Sequence, residues 1–291
     1  QLGIGDPSSV VRVTNSTPWQ KNPRARVRSI SAGSSHSLVV LGDGTVFGAG
    51  ANSHGQLGVK PAAMFSEPVA MLEVASAVSV SAGLLFSLVL LESGTVMSCG
   101  FNNHGQLGIA GGVSATIFHV PTPMAGILNA TAISAGSYHS LALLSTGVVL
   151  ACGWNKFGAL GIGSDDENPA GRGTPAAVTG ITSASAISAG TFHSLALLSS
   201  GTVMAWGDNR MGQLGLGSAD SDWHTSPATM VGVSGAEMIA AGGSHSLILH
   251  KPPQSDARAV LACGSNTYGQ LGIGTPAECG VSCEDFAAHP V

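Results

Sequence analysis

The sequence predicts an all-β fold built from four-stranded antiparallel units set one after another. Three observations predict it. The segment Gly55-Gln56-Leu57-Gly58 returns as Gly105-Gln106-Leu107-Gly108, Gly158-Ala159-Leu160-Gly161, Gly212-Gln213-Leu214-Gly215 and Gly269-Gln270-Leu271-Gly272, at spacings of 50, 53, 54 and 57 residues. Such a period marks one supersecondary unit used repeatedly. A second block, Ile30-Ser31-Ala32-Gly33-Ser34-Ser35-His36-Ser37-Leu38, recurs at 80–88, 133–141, 187–195 and 239–247. Finally, short apolar runs bounded by Gly and Ser follow each block, and no long stretch carries a helical stripe.

Each element of the unit has its own signal. The run Leu38-Val39-Val40-Leu41 reads as a strand, Gly42-Asp43-Gly44-Thr45 as a tight link, and Val46-Phe47-Gly48-Ala49-Gly50 as the strand that returns. The link recurs at Glu92-Ser93-Gly94, Ser145-Thr146-Gly147 and Ser199-Ser200-Gly201. Gly33, Gly83, Gly136, Gly190 and Gly242 fall between strands, where either close backbone approach or a positive φ calls for Gly. Gly-Gln-Leu-Gly suits a tight turn with one apolar plug, so Leu57, Leu107, Leu160, Leu214 and Leu271 are expected to be buried. Asn52, Asn102, Asn155, Asn209 and Asn266 precede that turn and are expected to bond its backbone. A Pro segment then closes the unit, as in Glu67-Pro68-Val69, Thr174-Pro175-Ala176 and Ser226-Pro227-Ala228. Pro cannot donate to a ladder, so this strand begins at Pro or lies on a sheet edge. Units of this kind and length are the blades of a β-propeller.

Composition narrows the function classes. The chain has 291 residues, of which 44% are hydrophobic and 9% charged, with 41 Gly and a net charge of −5. That balance supports a large core and disfavours a nucleic-acid surface. Mean hydropathy is +0.33. Gly, Ser and Asn nevertheless interrupt every apolar stretch before about 18 residues, so no membrane span is expected. Cys99, Cys152 and Cys263 share one repeat slot with Ala49 and Trp206 and read as small buried side chains. Cys279 and Cys283 lie close enough in sequence for a local disulfide in an oxidising compartment. No signal peptide is visible. An intracellular location leads, with a secreted one left open by those two cysteines and the sequons at Asn15 and Asn129.

The blocks Ile-Ser-Ala-Gly-x-x-His-Ser-Leu, Gly-Thr-Val and Cys/Trp-Gly-x-Asn-x-x-Gly-Gln-Leu-Gly together resemble the repeat of the regulator of chromosome condensation family. The resemblance covers nearly the whole chain. It implies blades of a propeller that usually has seven, here five full repeats and a partial one. The repeat blocks fall at about 1–54, 55–104, 105–157, 158–211, 212–268 and, in part, 269–291. The chain opens at Gln1-Leu2-Gly3, inside a further copy of the turn, and is expected to be part of a longer one. The family hosts unrelated activities on one ring, among them nucleotide exchange on the GTPase Ran, so fold does not settle function.

The candidate residues separate into structural and surface sets. His36, His139, His193 and His245 share a repeat position that Phe86 fills in the second copy. Equivalent positions are spread around a ring, so they are expected to satisfy backbone groups within each blade rather than to form a metal set. His54, His104, Phe157, Met211 and Tyr268 share a variable slot suited to surface contact. Acidic residues gather at Asp165, Asp166 and Glu167, near Arg172, and again at Asp220 and Asp222 beside Trp223 and His224. Equivalent loops leave neighbouring blades on one face, which makes these residues the expected partner-binding set, with Trp223 as an aromatic anchor. A basic cluster, Lys21, Arg24, Arg26 and Arg28, leads into a strand. No nucleophile pattern accompanies the histidines, and no cofactor motif or calcium-loop spacing occurs. The expectation is a non-catalytic protein-interaction module, part of a larger assembly, with unnamed protein partners and no cofactor. Guanine-nucleotide exchange on a Ran-type GTPase is the alternative.

Overall fold

The computed structural model describes residues 26–109, 116–163, 171–252 and 257–273. Within them the regular structure is entirely strand. The first sheet comprises β1 (Val27–Ala32), β2 (His36–Leu41), β3 (Val46–Ala51) and β4 (Met64–Ala70). The second holds β5 (Ala77–Ala82), β6 (Phe86–Leu91), β7 (Val96–Phe101) and β8 (Ile117–Pro123). The third holds β9 (Ala130–Ala135), β10 (His139–Leu144), β11 (Val149–Gly153) and β12 (Arg172–Ala177). The fourth holds β13 (Ala184–Ala189), β14 (His193–Leu198), β15 (Val203–Asp208) and β16 (Trp223–Thr229). β17 (Ala236–Ala241), β18 (His245–His250) and β19 (Ala259–Gly264) form the fifth. Every sheet is an antiparallel meander in chain order. Each packs on the next through its first two strands, as expected of propeller blades.

Alternation along each strand decides where the core lies. In β6, Phe86, Leu88 and Leu90 are buried among Val96, Leu107, Met124 and Ile127, while Ala142 and Cys152 of the third sheet cover them. Each core is thus roofed by the following sheet, so a single sheet cannot bury its own apolar face. Pro68, Pro121, Pro175 and Pro227 all fall in the fourth strand of a sheet, which pairs on one side alone. The edge is therefore the expectation that holds, because none of these strands begins at its Pro. Pro68 lies within a bulge where Gly48 faces Val69 and Gly50 faces Phe65, so the missing donor costs no ladder bond.

The repeated motif turns out to be a set of contacts between sheets. Ser31 Oγ accepts the Ala82 N–H at 2.9 Å, and Ser81, Ser134 and Ser188 repeat this with Ala135, Ala189 and Ala241. The glycine two residues after each serine is required by close approach and not by positive φ. A Cβ on Gly136 would stand 2.5 Å from His139 Cε1 and 2.6 Å from the Gly190 carbonyl of the next sheet.

In the first four sheets the Gly-Gln-Leu-Gly-type turn lies between the third and fourth strands, and in the fifth it follows the third described strand. Leu57, Leu107, Leu160 and Leu214 are fully buried and Leu271 nearly so. The Asn before each turn accepts the Leu N–H through Oδ1, as at Asn209–Leu214, 3.1 Å, and Asn52–Leu57, 3.0 Å. Gln213 Oε1 meanwhile accepts the Met211 N–H at 2.9 Å, holding the variable slot in place.

Candidate protein-interaction face

The meander puts two kinds of link at one end of every sheet: the short Gly-x-x link before the second strand, and the longer link carrying the variable slot. In the second to fourth sheets these links bring aromatic side chains together. His104 stacks on Trp154 at 4.8 Å between ring centres. Trp154 meets the edges of Tyr138, Phe157 and Phe192 at 5.4 to 6.0 Å. Phe192 lies parallel to Tyr138 at 5.8 Å and against Phe157 at 4.7 Å. Phe157 in turn meets Trp223 edge-on at 5.7 Å. His54 and Phe101 form a separate edge contact at 5.1 Å. The band is half-buried, rigid through ring–ring contact, and open to solvent at Trp223, which is 44% exposed.

Two cations flank the band. Lys156 Nζ stands 5.7 Å from the ring centres of both Trp154 and Phe157. The Arg210 guanidinium lies over Phe157 at 4.6 Å, fixed by Asp208 through bonds of 2.8 and 3.0 Å. Burial pushes the Asp208 carboxyl up, but the bonds from Arg210 outweigh it and hold the group below the usual carboxylate range.

The sequence-predicted surface residues divide on inspection. Asp165, Asp166 and Glu167 lie outside the described residues, as do Lys21, Arg24, Asn15, Cys279 and Cys283. Asp220 is engaged within its own loop: it accepts from Asn209 Nδ2 at 2.9 Å and meets His224 Nε2 at 3.2 Å. Asp222 is exposed beside Trp223, and both stand at the same end of their sheet as Arg172, whose Nε donates to the Thr174 carbonyl. Of the variable slot, Phe157 and His104 join the band, while Met211 and Tyr268 extend the face outward, Tyr268 at 92% exposure. Sequence reasoning did not assign Tyr138, Phe192, Lys156 or Arg210 to this face. The available signal was aromatic residues at the x positions of Gly-x-x-His in repeats three and four, which meet only when neighbouring sheets pack.

The repeated histidines require a correction. The Nε2 atoms of His36, His139 and His193 bond not backbone of their own sheet but a serine of the next. His36 Nε2 lies 2.9 Å from Ser87 Oγ of the next sheet, His139 2.9 Å from Ser194 and His193 3.0 Å from Ser246. Each serine then donates to the carbonyl of a turn in the histidine's own sheet: Ser87 to Gln56, 2.6 Å, Ser194 to Ala159, 2.8 Å, and Ser246 to Gln213, 2.8 Å. The serine's proton is committed to the carbonyl, so the imidazole hydrogen sits on Nε2, which donates to the serine oxygen. Burial lowers the pKa of His36 and His193 to about 4 and of His139 to about 3. The same carbonyls receive a second donor from the Cys/Trp slot. Cys99 points at Gln56, Cys152 at Gln106 and Cys263 at Gln213, while Trp206 Nε1 donates to Ala159 at 2.9 Å. Burial pushes the Cys99 and Cys152 thiols up to about 12, so they remain donors and are poor nucleophiles. Among the described residues no group of three or more His, Cys, Asp or Glu could hold a metal ion, and no helix is long and apolar enough to cross a membrane.

Comparison with known proteins agrees with this geometry. The chain is 39% identical over 249 residues to the probable E3 ubiquitin-protein ligase HERC4 of Homo sapiens, covering 85% of the chain and 23% of that protein. It therefore spans about a quarter of the length of that relative. Among solved structures, human WBSCR16 superposes with a TM-score of 0.73 at 24% identity, covering 88% of this chain and 66% of that one. Prp20p of Saccharomyces cerevisiae superposes with a TM-score of 0.69 at 22% identity, covering 77% and 56%. At these identities the structures show the fold. The model of the RCC1-like domain matches residues 1–285, and the chain belongs to that family.

Proposed function

We propose that the chain is a non-catalytic partner-recognition module that binds protein through the face carrying the aromatic band. The observation that carries this reading is the contact chain from His104 to Trp223, with Lys156 and Arg210 over its rings. Half-buried Trp, Tyr and Arg side chains held rigid before a partner arrives are the groups that dominate binding energy at protein interfaces. Asp222, His224 and Arg172 supply its polar rim, beside Trp223. The likeness to HERC4 supports a recruiting role within a longer chain, where this module selects what the remainder acts on.

The test places a photocrosslinking side chain either at Tyr268, on this face, or at Leu128, which is 70% exposed at the opposite end of the sheets. A specific partner crosslinked from Tyr268, absent from Leu128, and lost on Trp154→Ala with Phe157→Ala supports the reading. Crosslinking from Leu128 that ignores those substitutions overturns it. Nucleotide exchange remains the alternative. The Prp20p structure is described with binding to Gsp1p and histones. Strong acceleration of nucleotide release from a Ran-type GTPase would favour that alternative over simple recruitment.

A further inference from the structure

The seams between successive sheets are not equivalent. Three are bridged by a histidine: His36 to Ser87, His139 to Ser194 and His193 to Ser246. At the seam between the second and third sheets the histidine position holds Phe86. Ser140 still donates to the Gln106 carbonyl at 2.6 Å, and Cys152 still points at it. Phe86 is fully buried and belongs to the core cluster that Ala142 and Cys152 of the third sheet close. This seam is thus sealed by apolar contact where the other three depend on a neutral imidazole.

The difference matters when a proton is added. In each bridging histidine Nδ1 is buried and has no hydrogen-bond partner. It packs against the seam glycine, where Gly33 leaves no room even for a methyl group. Protonation would place a positive charge and a second N–H in that position with nothing to receive it, which the fold can relieve only by parting the sheets. The surrounding groups do not change this. Around His36 the strands carry Arg28, exposed on β1, and the buried thiol of Cys99 on β7. Across the His139 seam stands the uncharged Trp206, and His193 opposes a charge on His139. His193 has Asp208 in its favour and His245 against it, and Glu237 at the far end of β17 is occupied by Arg258. Phe86 has no protonation state.

We propose that the Phe86 seam is a built-in permanent joint, so that acid opens the array at the histidine seams and leaves the second and third sheets, β5 to β12, as one body. A sheet keeps its core only while a neighbour roofs it. Within that body the cluster around Phe86 keeps its roof, while the third sheet's own cluster loses the cover of Ala196 and Trp206, so the second sheet is the best preserved.

The experiment follows amide hydrogen exchange by mass spectrometry on the whole 291-residue chain, from pH 7.5 to pH 4, corrected for the intrinsic rate at each pH. At pH 7.5 protection is expected to be comparable in Ala77–Leu91, Ala130–Leu144, His36–Leu41 and His193–Leu198. At pH 4 Ala77–Leu91 is expected to keep protection at least about tenfold above His36–Leu41 and His193–Leu198, with Ala130–Leu144 in between. Phe86→His should abolish that excess at pH 4 and leave pH 7.5 unaffected. The converse variant, His139→Phe, should keep the fourth sheet over the third-sheet cluster and raise acid protection of Ala130–Leu144 to that of Ala77–Leu91. Uniform loss of protection across all four segments, or loss first in Ala77–Leu91, overturns the proposal. So does a His139→Phe protein that folds at pH 7.5 and gains no acid resistance.

Discussion

His139 Nε2 and Ser194 Oγ lie 2.9 Å apart on different sheets, and Ser194 passes the interaction on to the Ala159 carbonyl at 2.8 Å. One hydroxyl therefore ties a strand, a neighbouring strand and a turn. Ser194→Ala leaves His139 without an acceptor, whereas the Ala159 carbonyl keeps Trp206 Nε1. The expected cost is about 1–3 kcal/mol, read as a lower urea midpoint. Ser140→Ala, across the seam that has Phe86, strands no buried donor and should cost less.

The seam glycines make a prediction that composition would not. Gly136→Ala drives a methyl group into His139 Cε1 and the Gly190 carbonyl, and roughly 1–3 kcal/mol of destabilisation is expected. Gly126 has open space around it at φ +69, so Gly126→Ala bears conformational strain alone, about 1 kcal/mol. Thermal or denaturant unfolding of the two variants side by side checks the order. Equal losses would remove close approach as the reason for Gly136.

Leu107 is fully buried beside Phe86 and Ile109, and Leu107→Ala should cost about 2–5 kcal/mol. Asn102 Oδ1 accepts the Leu107 N–H at 3.0 Å. Asn102→Ala leaves a buried N–H unpaired and should cost about 1–3 kcal/mol. The double substitution is expected to cost less than the sum, because an unplugged turn no longer needs the Asn bond. Denaturant unfolding of the four proteins of that cycle measures the coupling.

Stability should depend on pH through His36, His139 and His193. Their folded pKa values, about 4, 3 and 4, lie below the ordinary 6.5. Between those limits the unfolded chain binds more protons than the folded one. Their contribution is therefore whole above about pH 6.5, falls as pH drops, and levels off below about pH 3. Each is expected to account for at most roughly 3–5 kcal/mol. Unfolding free energies at pH 7.5, 5.5 and 4.5 give the slope, and His193→Phe should reduce it.

Much of the fold was legible because the repeat carries its own alignment. Five copies of one turn and one block show which positions vary and which hold, so strands, hairpins and the buried leucines could be placed without a partner sequence. The Asn bonds were also legible, since they close over five residues within one turn. The histidine bridges were not, because donor and acceptor are about fifty residues apart and look, in sequence, like two columns of one repeat. The interaction face was half legible. The variable slot pointed to Phe157 and His104, but Tyr138 and Phe192 stood in a column that reads as part of a link.

The sequence by itself determined the all-β class, the four-strand unit, its family and the burial of the Gly-Gln-Leu-Gly leucine. Those follow from local alternation, turn chemistry and period, which act within one unit. Tertiary structure decided what the shared columns do across units: serine receives histidine from the preceding sheet, glycine admits the next sheet's carbonyl, and aromatic residues from separate links become one band. Such contacts depend on the stagger and distance between neighbouring sheets, and no single repeat contains that information.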